Sequence, residues 1–81
     1  LMDKRMGVVS VIVGNRQQDA GMVNDIISRH GELVLARMGV PCRDRGVSVI
    51  ALIIEATTNE VGSLTGQLGS LPSVRVKSSL V

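Results

Sequence analysis

The sequence predicts an α+β fold of order β-α-β-β-α-β, a four-stranded antiparallel sheet carrying two helices on one face. Three observations carry that prediction. Two stretches, Arg5 to Gly14 and Gly46 to Ala56, are apolar on both alternating sets of residues, as strands in the middle of a sheet are. Two others, Asn15 to His30 and Thr57 to Leu71, repeat apolar residues at helical spacing behind capping residues. The remaining two, Glu32 to Met38 and Ser73 to Ser79, are shorter and carry charge, which suits the edges of a sheet.

In the first strand Val9, Val11 and Val13 form one set, and Met6, Val8, Ser10 and Ile12 the other. Gly14 breaks it, and Asn15 is placed to cap a helix with Gln18 three residues on. Ala20, Val23, Ile26, Ile27 and His30 trace that helix's apolar face, while Asp19, Asn24, Asp25, Ser28 and Arg29 fill much of the remainder. Gly31 stands where a C-terminal glycine cap belongs. The second strand carries Glu32 and Arg37 near its ends. Gly39 to Gly46 reads as a long hairpin loop, because a proline and two glycines disfavour regular structure. In the third strand the sets are Val47, Val49, Ala51, Ile53 and Ser48, Ile50, Leu52, Ile54. Thr57 and Glu60 make a capping box for the second helix, whose narrow stripe is Val61, Leu64, Leu68 and Leu71. Gly62, Gly66 and Gly69 weaken this helix but leave its backbone open to close approach, and Pro72 ends it. The last strand sets Val74 and Val76 against Arg75 and Lys77. This order is the split βαβ, or ferredoxin-like, pattern, in which strands one and three lie in the middle. Residues 1–81 read as a single domain.

Two helices cover one face of such a sheet, and both middle strands are apolar on both faces. With Ser10 and Ser48 marking the more polar sets, the uncovered face is expected to carry Val8, Ser10, Ile12, Ser48, Ile50, Leu52 and Ile54. An uncovered aliphatic face of this size marks an interaction surface, and a second copy of the chain is the expected cover, as a dimer or tetramer. The bulk composition points the same way. An 81-residue chain buries only about 60–65% of its unfolded surface. One cysteine, one histidine and no aromatic residue leave an aliphatic core without disulfide or metal staple. A net charge of +2 and the lack of aromatic side chains for stacking on bases argue against nucleic acid. No apolar run reaches the roughly 20 residues that cross a bilayer, and Met2 reads as a start residue with Leu1 added before it, so a cytoplasmic location is expected. No Ser/His/Asp set, phosphate-loop pattern or metal-ligand spacing is present, so the expectation is a chain that is not an enzyme and holds no cofactor.

The order, length and open face resemble ACT-like regulatory domains and the C-terminal domain of the nickel-responsive repressor. Three stretches carry a closer likeness: Asp3 to Ser10, Arg37 to Pro41 followed by Gly46 to Ile50, and Leu64 to Val74. Together they resemble the family of proposed regulators of the iron-only hydrogenase maturation system, small stand-alone proteins of anaerobic bacteria. The resemblance implies a regulatory role and brings no catalytic residue with it. It also leaves two classes of partner open, a small effector or a hydrogenase maturation protein to which the chain would serve as a structural adaptor.

The nickel repressor gathers histidines and a cysteine near the first helix end and the following hairpin. Here that strand offers Glu32, Val34, Ala36 and Met38, so His30 and Cys42 alone make no metal site, and none is expected. Cys42 lies between Pro41 and Arg43, with Arg45 near, a setting that favours thiolate but lacks a resolving cysteine. ACT-like domains hold small effectors at a subunit interface beside the turn from first strand to first helix. The corresponding candidates are Gly14, Asn15 and Arg16, whose helix start would offer free N–H groups to an anion. Arg37, Gly39 and Arg43 join the candidate set from the hairpin.

Overall fold

The computed structural model describes residues 3–81; Leu1 and Met2, the expected start, lie outside the described residues. The elements are β1 (Arg5–Val13), α1 (Arg16–Arg29), β2 (Val34–Cys42), β3 (Val47–Ala56), α2 (Thr58–Gly69) and β4 (Val74–Leu80). Single turns of 3₁₀ helix cover Gly31–Leu33 and Arg43–Arg45. The sheet is antiparallel in the order β2-β3-β1-β4, with the doubly apolar strands in the middle as expected.

The core lies between the sheet and the two helices. Val9, Val11 and Val13 of β1 and Ile50, Leu52, Ile54 and Ala56 of β3 meet Val23, Ile26 and Ile27 of α1 and Val61, Leu64 and Leu68 of α2. Both helix starts form as their sequences predict. Asn15 Oδ1 accepts from the Gln18 N–H at 3.1 Å. The Thr57 and Glu60 side chains exchange hydrogen bonds with each other's backbone N–H, completing the capping box.

The face of β3 differs from expectation. Val8 lies opposite Ile53, Ser10 opposite Ala51 and Ile12 opposite Val49, and directly opposed residues share a face. The open face therefore carries Val8, Ser10, Ile12, Val49, Ala51 and Ile53, while Ile50, Leu52 and Ile54 are buried under the helices. The bulkier set of β3 packs beneath the two helices, where close packing gains most, and the slimmer set remains outside. Ser48 misled because it sits opposite Val13 on the helix side near the strand's start, half-buried. Met6, Val8, Ile12, Val49 and Ile53 are each about 38–46% exposed, so the aliphatic outer face exists with a changed β3 membership.

The hairpin differs too. β2 continues through Gly39, Val40, Pro41 and Cys42, all paired with β3, and the loop contracts to the Arg43–Arg45 turn. An edge strand tolerates Pro41 because one side of its backbone needs no partner. Gly46 closes the turn at φ 67°, a left-handed conformation suited to glycine. Gly31 makes no such cap. His30 ends α1 and the chain passes into 3₁₀ geometry, taking Glu32 out of the strand. Nor do Gly62, Gly66 and Gly69 admit a neighbour, since a Cβ at each would meet open space. Close approach occurs instead at Gly7, where a Cβ would lie 2.5 Å from the Ser79 carbonyl oxygen.

Candidate functional site

Helix α1 and edge strand β2 stand apart at one end of the sheet and flank an open-mouthed cavity of about 210 Å³. From α1 the spacing of Arg16, Ala20, Val23 and Asn24 sends one face into it, and from β2 come Arg37, Gly39 and Pro41, with Val13, Ser48 and Ile50 from the middle strands. Arg37 reaches across from the strand and donates through Nη2 to Asn24 Oδ1 at 2.6 Å. Arg16 Nε is buried without a hydrogen-bond partner among the described residues. Among the described residues no carboxylate lines the cavity, so two arginines share it without a countercharge.

Three of the expected residues, Arg16, Arg37 and Gly39, thus come together. Gly14 and Asn15 do not join them. They line a separate hollow with Ile12, Pro72, Ser73 and Arg75 at the sheet's other edge. Arg43 occupies the 3₁₀ turn and lines neither. The free N–H groups expected at the start of α1 are already occupied. The Gly14 N–H donates to the Ser73 carbonyl, the Asn15 N–H to Ser73 Oγ and the Arg16 N–H to the Gly46 carbonyl, at 2.8–2.9 Å. A Cβ on Gly14 would sit 3.0 Å from the Ser73 oxygen, so this glycine serves a close backbone contact.

Sequence reasoning missed Asn24 and Asp19. Asn24 was legible as the continuation of the Arg16, Ala20, Val23 spacing. Asp19 gave no such signal, because its partner is distant in the chain. It is 4% exposed, and Oδ2 accepts from the Ser73 N–H at 2.9 Å and from Ser73 Oγ at 2.6 Å. These bonds, the hydroxyl's foremost, hold the Asp19 carboxyl below its ordinary pKa against the opposing effect of burial. A lowered folded pKa means stability that is full above the unfolded value and is lost as pH falls through the folded one. Asp19→Asn should therefore lower stability at pH 7, and its deficit relative to the unmodified chain should shrink below about pH 4. Urea unfolding at both pH values checks this.

His30 is engaged within the fold. Its Nδ1 lies 2.7 Å from the Ile26 carbonyl, an acceptor that requires the proton on Nδ1, and Nε2 lies 3.4 Å from Ser63 Oγ. Cys42 is exposed on β2. Among the described residues no three His, Cys, Asp or Glu side chains converge, and no helix is long and apolar enough to cross a membrane.

Comparison with solved structures finds the same fold in other proteins. The uncharacterized protein TM1266 from Thermotoga maritima is 29% identical over 98% of this chain and 99% of its own, with a TM-score of 0.92. The ACT domain from GTP pyrophosphokinase of Chlorobium tepidum shares the fold at 13% identity and TM-score 0.79, over 94% of this chain and 99% of that one. A nitrogen regulatory PII-like protein from Thiomonas intermedia shares it at 16% identity and TM-score 0.53, over 95% and 90%. No curated protein matches the sequence. A family model does match residues 5–78, that of the TM1266-like proteins, described as "Iron-only hydrogenase system regulator, putative", and the chain belongs to that family.

Proposed function

We propose that this chain is a non-enzymatic regulatory domain of the cytoplasm that self-associates through its open sheet face and responds to a small anionic effector. The observation that carries the reading is the outer face itself: Val8, Ile12, Val49 and Ile53 form an aliphatic surface on the middle strands. Burying each such side chain contributes roughly 1.5–3 kcal/mol relative to leaving it exposed. The anionic preference rests on Arg16 and Arg37 in a cavity without a carboxylate. The PII-like structure, bound to ADP, AMP and bicarbonate, offers a precedent for anion binding by a protein of similar fold. Of the candidate set, Arg16, Arg37 and Gly39 belong to this cavity. Gly14, Asn15 and Arg43 can contribute only where a second copy brings its own surface to them.

Sedimentation at micromolar concentration together with thermal melting against phosphate, ADP and small carboxylates tests the reading. The expected result is a dimer or tetramer whose melting temperature rises with the concentration of an anion. A monomer that no anion stabilises would refute it. An oligomer that melts higher only with a hydrogenase maturation protein would favour the adaptor role instead.

A further inference from the structure

The cavity between α1 and β2 has a chemistry more specific than positive charge. Its polar side chains are those of Arg16, Arg37, Asn24 and Ser48, and the rest of its wall includes Val23 and Ile50. Arg16 Nε is buried and donates to nothing among the described residues, and Arg16 itself lines the cavity with no hydrogen bond or ion pair of its side chain to hold it elsewhere. Arg37 is steered by a neutral acceptor, Asn24 Oδ1, which fixes the guanidinium at the cavity without neutralising it. Planar guanidinium groups favour carboxylate and phosphate oxygens over other acceptors.

Size and wall then narrow the choice. About 210 Å³ falls below the roughly 300–1,000 Å³ of typical drug-sized ligand sites, which suits a small ligand better than a nucleotide. Beyond the Asn24 amide and the Ser48 hydroxyl, the Val13, Ala20, Val23 and Ile50 side chains offer a phosphate's remaining oxygens nothing, whereas they match a short hydrocarbon chain. A free amino acid fits poorly for a different reason. Its ammonium group would enter beside two positive charges, with no carboxylate to receive it.

We propose that the α1–β2 cavity binds a short aliphatic carboxylate lacking an amino group, its oxygens on Arg16 and Arg37 and its hydrocarbon against Val23 and Ile50. This rests on the anionic-effector reading and assigns that effector a place and a class. Calorimetric titration of the whole chain with isovalerate, valine, phosphate and ADP tests it. Isovalerate should saturate one site per chain and bind at least about tenfold tighter than valine. Arg37→Gln and Arg16→Gln should each weaken it by about tenfold or more, the scale of a lost charged hydrogen bond, with the circular dichroism of the fold unchanged. Valine binding as tightly as isovalerate would overturn the class. Isovalerate binding untouched by either arginine substitution would overturn the place. Binding of phosphate or ADP without isovalerate would overturn this inference while leaving the anionic-effector reading intact. No binding by any of the four would overturn both.

Discussion

Leu52→Glu is expected to unfold the chain. Leu52 is fully buried at the centre of β3, between sheet and helices. The substitution removes aliphatic packing whose loss costs about 2–5 kcal/mol, and the buried carboxylate adds several more unless it takes up a proton. Domains of this kind have roughly 5–15 kcal/mol of stability in total, so little or nothing remains. Far-UV circular dichroism of the purified variant should show a loss of ordered structure at 25 °C, at every protein concentration. A folded Leu52→Glu chain would mean that the helices do not cover this side of the sheet.

Ile53→Asp, one residue along, should behave in the opposite way. Ile53 points to the open face beside Val8 and is 38% exposed within the single chain. There the charge remains hydrated, and the folded chain loses only about 1 kcal/mol through aspartate's poor fit to a strand. Against a second copy the same carboxylate would be trapped in an aliphatic interface, at a cost of several kcal/mol. The expected outcome is a folded monomer by sedimentation and circular dichroism, where the unmodified chain sediments as an oligomer. If Ile53→Asp leaves the assembly unchanged, the open sheet face is not the contact between copies.

These neighbouring substitutions also show what was legible in the sequence. Strand order and the N-terminal helix caps were legible because each rests on local patterns: double-sided apolar runs, Asn15 with Gln18, and Thr57 with Glu60. The facing of β3 was not, since both of its alternating sets are apolar and only pairing with β1 decides between them. Glycines and Pro41 suggested a loop where an edge strand absorbs them. The cavity was partly legible. Arg16, Arg37 and Gly39 drew notice for charge and position, whereas Asn24 and the orphaned Arg16 Nε depend on how α1 sits over β2. The regulatory family was readable from the wording of the chain, which matches over residues 5–78.

The junction at Ser73 bears on the order of events in folding. Asp19 and Ser73 are 54 residues apart, and the same serine also receives the N–H groups of Gly14 and Asn15. None of these bonds can form until β4 lies beside β1, which requires closing a loop through most of the chain. The entropy of that closure grows only slowly with loop length, yet it must be spent before the short, directional contacts return anything. The cluster is therefore expected to form on the late side of the folding barrier, as a latch on a structure already assembled. Loosening it, as Asp19→Asn does, should leave the folding rate nearly unchanged and show itself as faster opening.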